Sequence, residues 1–274
     1  MALVFGVLVG LISNALAIGV GRWLGLLDRP HGIKIHASPV PFTGGLGYVL
    51  VLTMWMLVAP LPLPFFVAAI SIWAVGLADD IRPFRPVRKL SLQSLALLLA
   101  VPALDGQVPL RLVAVAIGLV LINTFNLIDG LDGLAGGVAF FALLPTALAS
   151  SGAGLLGLTT GFAGAFLVLN LPPAKIFLGN QGSLVLGYAL WFVSTSWVLS
   201  DSGPSLLGAA LVWSVPLANA IFVVARRVVE HRPLFTGDRS HLYDELHRRI
   251  GLRATVVTAW AAAAAASVVG SAVL

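Results

Sequence analysis

The sequence has no cysteine, which excludes disulfides and thiolate metal sites and says nothing about compartment. Charge is scarce as well: 10% of the residues are Asp, Glu, Lys or Arg, against about a quarter in soluble globular domains. With 59% hydrophobic residues and a mean hydropathy of +1.01, a soluble fold is excluded. A repeat of fixed period is missing, as are a low-complexity tail and a polar stretch long enough for a soluble domain. One membrane domain over residues 1–274 is therefore expected, with membrane lipids around it and no nucleic-acid partner.

What the chain does have is long apolar runs. They fall at about 2–21, 44–60, 64–78, 91–104, 108–125, 136–150, 152–170, 183–200, 205–225 and 254–273, and most approach the roughly 20 residues that cross a bilayer. The expected fold class is all-α: a polytopic integral membrane protein of about ten transmembrane helices. The first run lacks a basic leader and a small-residue cleavage site, and its first basic residue, Arg22, lies on its far side. It reads as an anchor with the N-terminus outside. Alternating the loops from there puts 15 of the 16 Lys and Arg residues on one face and leaves only Arg111 on the other. The positive-inside rule assigns the crowded face to the cytoplasm, which makes this a multi-pass protein of the cytoplasmic (inner) membrane.

All five histidines and nine of the eleven acidic residues fall on that same face, the exceptions being Asp105 and Asp201. The active site is therefore expected there. The pI of about 10.2 comes from the same loops and suits anionic headgroups and polyphosphates. The outer connections, such as Pro60-Leu-Pro62-Leu-Pro64, are short and rich in turn residues. The seven tryptophans are expected mostly at span ends, as an interfacial belt without catalytic role.

Five cytoplasmic segments carry polar residues: Arg22 to Thr43, Asp79 to Leu90, Asn123 to Gly137, Lys175 to Ser183 and Arg226 to Arg253. The third is the densest. Asn123-Thr-Phe-Asn126-Leu-Ile-Asp129-Gly-Leu-Asp132-Gly-Leu-Ala-Gly-Gly137 sets two carboxylates, two carboxamides and four glycines between apolar runs. Ionisable groups at a membrane boundary are costly unless solvated or paired, and a plain turn does not need this many. A phosphate and metal site is the better reading. Gly76-Leu-Ala-Asp79-Asp80 offers an acid pair for a hard cation, with Arg85, Arg88 and Lys89 following for phosphate oxygens; a self-neutralising turn is the bland alternative. In Phe177-Leu-Gly179-Asn180-Gln181-Gly182-Ser183, Ser183 could cap the helix that begins span 8. From Ser240 the last loop has helical spacing, with His241, Asp244, Glu245 and Arg248 on one face and Leu242, Leu246 and Ile250 on another. A basic amphipathic helix on the headgroups is the bland alternative there. His241 and His247 are six apart, which excludes a helical zinc pair.

In this order, Lys34/His36 with Pro41-x-x-Gly44-Gly45, Asp79-Asp80, Asn123-x-x-Asn126-x-x-Asp129-Gly-x-Asp132-Gly, Phe-Leu-Gly-Asn180-x-Gly-Ser183 and Asp238-Arg-x-His241 span nearly the whole chain. The set resembles the polyprenyl-phosphate N-acetylhexosamine-1-phosphate transferases. The resemblance implies transfer of a hexosamine 1-phosphate from a UDP-sugar to a polyprenyl phosphate such as undecaprenyl phosphate, with release of UMP and Mg²⁺ (or Mn²⁺) as cofactor, in cell-envelope glycan synthesis. It implies Asp79, Asp80, Asp129 and His241 as the catalytic set, Asp79, Asn126 and Asn180 around the metal, and Lys34, His36, Lys89, Asn123, Asp132 and Arg239 at the substrates. Such enzymes are often homodimers, and no residue here names an interface.

A phosphomonoester with a second pKa of about 6 is largely dianionic at neutral pH and leaves a base little to remove. Asp79 and Asp80 are therefore assigned positioning and charge neutralisation in preference to general-base catalysis. The chain departs from the family pattern at Asn180, where an Asp is usual, and loss of that charge should weaken Mg²⁺ binding. A natural variant, an inactive or merely substrate-binding relative, and a laboratory substitution all remain open. The histidine-rich run of the UDP-MurNAc-pentapeptide branch is missing, with Asp244 near His241 where relatives have a second His, which points to the branch using simpler UDP-N-acetylhexosamines. Two other classes compete. A cation-coupled transporter needs polar groups at mid-span, and a CDP-alcohol phosphotransferase needs an Asp-Gly-x-x-Ala-Arg arrangement that the sequence lacks.

Overall fold

The computed structural model describes residues 1–30, 38–152, 154–199, 206–233 and 240–272. Nearly all of the regular structure is helical: α1 (Ala2–Leu24), α2 (Gly44–Met56), α3 (Leu63–Ile81), α4 (Pro86–Leu98), α5 (Val108–Asn126), α6 (Leu134–Ala149), α7 (Gly154–Asn170), α8 (Gly179–Leu199), α9 (Leu206–Val212), α10 (Ser214–Val229) and α11 (Leu242–Ala272). The all-α expectation needs one small amendment. Strands β1 (Leu27–Asp28) and β2 (Val40–Pro41) pair antiparallel, Leu27 with Pro41 and Asp28 with Val40.

Each apolar run of the sequence coincides with helix. Among the described residues five helices, α1, α3, α5, α8 and α11, are long and apolar enough to cross a bilayer on their own, and α9 with α10 makes a sixth if this pair, bent by 71°, is one span. The apolar helices α2, α6 and α7 are shorter. Within α11, Gly251 at φ 80° separates the amphipathic turn that begins at Leu242 from the apolar run beyond it, as the spacing predicts. Large apolar side chains are exposed in stripes: Val4, Leu8, Ile12 and Leu16 on α1, and Leu110, Val113, Ile117 and Val120 on α5. A soluble protein could not leave such patches to water; acyl chains cover them at no cost. The chain is an all-α, multi-pass membrane protein.

At the centre stands α8, buried continuously from Gln181 to Ser194. Helices α3, α5 and α2 pack on it, α1 packs on α7, and α6 joins α7 to α11. Close approach between the helices is made by small residues, the usual solution where lipid gives no hydrophobic drive. A Cβ on Gly6 of α1 would meet the Leu158 carbonyl of α7, and one on Gly161 of α7 would meet the Leu3 carbonyl of α1.

The interfacial-belt reading of the tryptophans is corrected in part: Trp23, Trp55, Trp197 and Trp213 do lie at or beside helix ends, but not all of them face outward. Trp55, Trp191 and Trp213 are buried in the core, whereas Trp23 is 83% exposed. Buried indoles need a hydrogen-bond acceptor: Trp191 Nε1 donates to the Ala114 carbonyl (3.0 Å) and Trp213 Nε1 to Ser194 Oγ (3.1 Å), and the half-buried Trp73 Nε1 donates to Gln181 Oε1 (2.9 Å). They tie helices together.

Four of the five polar segments contribute residues to a cavity at one end of the bundle, and Tyr243 of the fifth reaches its wall at Gly130. The cavity there takes residues from the C-terminal ends of α3, α5 and α7 and from the N-terminal end of α8, together with Asp28 just beyond α1 and Phe42 just before α2. An up-and-down bundle brings these ends to one side.

Gly6→Ala is expected to lower the thermal midpoint in detergent by several degrees, because overpacking a tight contact costs roughly 1–3 kcal/mol. Gly19→Ala, where a Cβ meets nothing within 4 Å, is the control and should be neutral or slightly stabilising. Thermal denaturation of the two purified variants checks the pair.

Candidate active site

A cavity of about 450 Å³ opens at this end of the bundle. Its lining holds the carboxylates of Asp28, Asp79, Asp80, Asp129 and Asp132 and the carboxamides of Asn126, Asn170 and Asn180. No Lys, Arg or His is among its described lining residues.

The acid pair leaves the last turn of α3. Asp80 reaches the N-terminus of α8, where Oδ1 accepts from the Asn180 backbone N–H (2.9 Å) and from Asn180 Nδ2 (3.0 Å), and Oδ2 accepts from the Gln181 N–H (3.1 Å). Ser183 does not cap this helix. It lies inside α8 and donates to Asn126 Oδ1 and to the Gly179 carbonyl. The helix begins four residues earlier than its apolar run, because its cap comes from α3. Gly179 permits the contact: its φ is 66°, and a Cβ there would lie 2.8 Å from both Asp80 Oδ2 and the Phe42 carbonyl.

Asp79 is held differently. Its Oδ1 accepts from the Phe84 N–H (2.7 Å), which fixes the turn into α4, and its Oδ2 pairs with Lys89 Nζ at 2.9 Å. Lys89 also donates to Asn180 Oδ1 (3.0 Å).

The opposite wall is the connection from α5 to α6. Asp132 Oδ2 accepts from the Ala174 N–H (3.0 Å). Asn170 accepts from the Gly133 N–H and donates to the Ile176 carbonyl, both at 2.8 Å, and so pins this connection to the one after α7. Asp129 belongs to the same connection, outside the spans, and no donor holds its side chain among the described residues. Burial raises its pKa from 3.8 to about 7, and repulsion from Asp80 and Asp132 adds to the rise. Next to it, Gly130 carries the Tyr243 hydroxyl, which a Cβ would displace.

The residues expected from the sequence divide into three groups. Asp79, Asp80, Asn126, Asp129, Asp132 and Asn180 are brought together on the cavity wall, and Lys89 stands just behind it. Asn123 and His241 are not in the lining. Asn123 forms a reciprocal amide pair with Gln93 of α4, donating to its Oε1 at 2.7 Å and accepting from its Nε2 at 3.3 Å. His241 is buried, with Nδ1 3.3 Å from Asn219 Nδ2 and its ring stacked on Tyr243. Its backbone N–H bonds Asp244 Oδ2 at 3.3 Å, half of a capping box at the start of α11. Lys34, His36 and Arg239 lie outside the described residues.

Sequence reasoning missed Asp28 and Asn170. Asp28 sits beside Arg29 within the first polar segment, and Asn170 is a single polar residue at the end of an apolar run, just before Pro172-Pro173. That was the available signal.

Behind the wall formed by residues 128–134 lies a second cavity of about 360 Å³, almost wholly apolar, between α10 and α11. Ile128 and Leu134 line it, and Tyr243 separates it from Gly130 of the acidic cavity.

Among known proteins, the model of glycosyl transferase family 4 matches residues 62–198, the stretch that contains both walls of the acidic cavity except Asp28 and Phe42. The undecaprenyl-phosphate alpha-N-acetylglucosaminyl 1-phosphate transferase of Thermotoga maritima is 33% identical over 233 residues, 82% of this chain and 74% of that protein. The probable undecaprenyl-phosphate N-acetylglucosaminyl 1-phosphate transferase of Bacillus subtilis is 28% identical over 273 residues, 90% of this chain and 76% of the relative. A phospho-N-acetylmuramoyl-pentapeptide-transferase from Levilactobacillus brevis matches at 33% over 137 residues, only 48% of this chain. The chain belongs to glycosyl transferase family 4, with the N-acetylglucosaminyl 1-phosphate transferases as its nearer relatives and the muramoyl-pentapeptide branch matched only in part.

Proposed function

We propose that this chain transfers N-acetylglucosamine 1-phosphate from its UDP-sugar to undecaprenyl phosphate or a similar polyprenyl phosphate, releasing UMP at the cytoplasmic face of the inner membrane. The observation that carries the reading is the undonated carboxylate of Asp129 in a cavity whose described lining holds five carboxylates and no cation. A nucleotide diphosphate is repelled from such a wall unless a divalent ion comes with it. Two substrates of this class fit the two cavities: the acidic one for the diphosphate, the apolar one beside it for an isoprenoid chain.

The donor set suits Mg²⁺. All of the ligating atoms on offer are hard oxygens, and among the described residues no three acidic or histidine side chains converge on one point. Mg²⁺ characteristically takes one or two carboxylates and completes its shell with substrate phosphates and water. Asp129 and Asp132 would hold it, with Mn²⁺ as a substitute. When bound, the ion neutralises phosphate charge that builds up during transfer.

The residues of the chain do the rest. In the reaction an oxygen of the lipid phosphate attacks the β-phosphorus of the donor, a new P–O bond forms, and the bond from that phosphorus to the bridging oxygen breaks, so that UMP leaves with the electron pair. The nucleophile is already dianionic, and no side chain has to take its proton. Asp80 fixes the start of α8 and thereby the wall, Asn126 is oriented by Ser183, and Asn170 holds the opposite connection in place. Positioning and charge account for catalysis here.

Ten passages with the N-terminus outside fit the way odd-numbered spans end, and even-numbered ones begin, at the cavity. One domain over residues 1–274 and a homodimeric assembly complete the proposal. A transporter is disfavoured because the broken span, Leu206–Val212 with Ser214–Val229, contains no acidic residue.

Purified in detergent and given UDP-GlcNAc, undecaprenyl phosphate and Mg²⁺, the protein should release UMP, and Asp129→Asn should reduce the rate at least a hundredfold. Failure with every UDP-hexosamine tried, alongside intact nucleotide-sugar binding, would make it a binding protein.

The pH dependence follows from Asp129. Its neutral form stabilises the unliganded fold fully below the ordinary carboxylate pKa of 3.8, and that contribution is lost as pH rises through about 7. In EDTA the thermal midpoint should therefore fall across this window, and Asp129→Asn should flatten the fall. Because an arriving cation must displace this proton, Mg²⁺ affinity should rise with pH up to about 7 and then level off; calorimetric titration at several pH values measures it.

A further inference from the structure

The two walls of the acidic cavity are unlike in how their charge is balanced. On the α5–α6 side, Asp129 has no donor among the described residues. On the α3–α8 side, a continuous polar chain runs from Asp79 Oδ2 to Lys89 Nζ (2.9 Å), from Lys89 Nζ to Asn180 Oδ1 (3.0 Å), and from Asn180 Nδ2 to Asp80 Oδ1 (3.0 Å). The side chains of Lys89 and Asp79 are only 17% and 8% exposed, so this pair is shielded from solvent and is screened less than a surface pair.

We propose that Lys89 is a resident cation for this wall, and that the carboxamide of Asn180 is the adaptor that lets one ammonium serve two carboxylates, so that no divalent ion is needed there. The assignment follows from donor and acceptor chemistry. An ammonium only donates and an ionised carboxylate only accepts. A residue joining the two must accept at one end and donate at the other, as a carboxamide does and a carboxylate cannot. A carboxylate at position 180 would set an oxygen about 3 Å from Asp80 Oδ1, where like charges demand a proton or a further cation. The backbone N–H groups of Asn180 and Gln181 supply Asp80 with the rest of its compensation, at the positive end of α8. Lys89 is thus held as a counter-ion behind the wall, outside the cavity lining, in place of the substrate contact expected from the sequence. Asn180 is a fitted part of this wall and not a lesion in it.

This deepens the cation-assisted reading of the cavity, and the test separates the two. The full-length protein, stripped of metal in detergent and without substrates, is titrated with Mn²⁺, and free Mn²⁺ is followed by electron paramagnetic resonance. Thermal midpoints are recorded in EDTA and in Mg²⁺. Asn180→Asp and Lys89→Met should each gain an extra Mn²⁺ ion per chain or bind Mn²⁺ at least tenfold more tightly than the unchanged protein. In EDTA, Asn180→Asp should have a lowered midpoint that Mg²⁺ restores. Lys89→Arg, which keeps the charge, should behave as the unchanged protein. If Asn180→Asp and Lys89→Met bind Mn²⁺ with unaltered number and affinity, the proposal is overturned; should Lys89→Met not fold, Asn180→Asp alone decides it. Absence of Mn²⁺ binding to the unchanged protein, or its survival in Asp129→Asn, would instead count against Asp129 as the cation ligand and leave the gain in the variants to judge Lys89.

Discussion

The bond between the Asp80 carboxylate and the first N–H groups of α8 is the contact from which the rest of the site takes its position. A helix that starts inside a membrane protein carries N–H groups with no partner in their own helix, and lipid offers none. Asp80 supplies acceptors for two of them from a neighbouring helix. The same contact compensates its own charge, since the N-terminal end of a helix is positive. Two glycines allow the approach: a Cβ on Gly45 of α2 or on Gly76 of α3 would lie within 2.6 Å of the Gln181 backbone. The side chain of Gln181 then closes the joint, accepting from Trp73 and donating to the Phe42 carbonyl (3.0 Å).

From that joint the carboxylates sort by how they are satisfied. Asp79 has a lysine and a backbone N–H, Asp80 has three donors, and Asp132 has one. Asp129 has none among the described residues and is crowded by two like charges. A structure built only for stability would not place a carboxylate in this way, because a buried charge without a partner costs several kcal/mol or holds a proton. The imbalance is stored where an incoming cation can relieve it, which is the ordinary signature of a functional site.

Much of this was legible in the sequence because bilayer crossing imposes a length. The apolar runs coincide with helix, although among the described residues only five helices, or six with the bent pair, are long enough to cross alone, and four of the five polar segments between them line one cavity. What the sequence did not reveal were choices made between distant residues. That α8 begins at Gly179 depends on Asp80, about a hundred positions away. That Asn123 is spent on Gln93, and that His241 stacks on Tyr243 away from the lining, depends on helix packing with no local pattern. Trp191 and Trp213 look like any aromatic residue near an apolar run until their acceptors on other helices are seen. Asp28, beside Arg29, and Asn170, alone at a span end, both look like ordinary turn chemistry.

The position of the cavity follows from the same constraint that shapes the bundle. Within the hydrocarbon layer a helix satisfies its own backbone, so free N–H and C=O groups occur only at helix ends. Carboxylates and carboxamides that need donors therefore collect at those ends, and in an alternating bundle the ends of one parity lie on one side. The last turns of α3, α5 and α7 supply Asp79, Asp80, Asn126 and Asn170, and the first turn of α8 supplies Asn180. Under the proposed topology the charge rule of membrane insertion would gather the basic residues on the same side for an independent reason. A phosphate-handling site in such a chain thus has one face on which its acids, amides and cations can meet, and the enzyme chemistry proposed here is confined to that face by the way the backbone crosses the membrane.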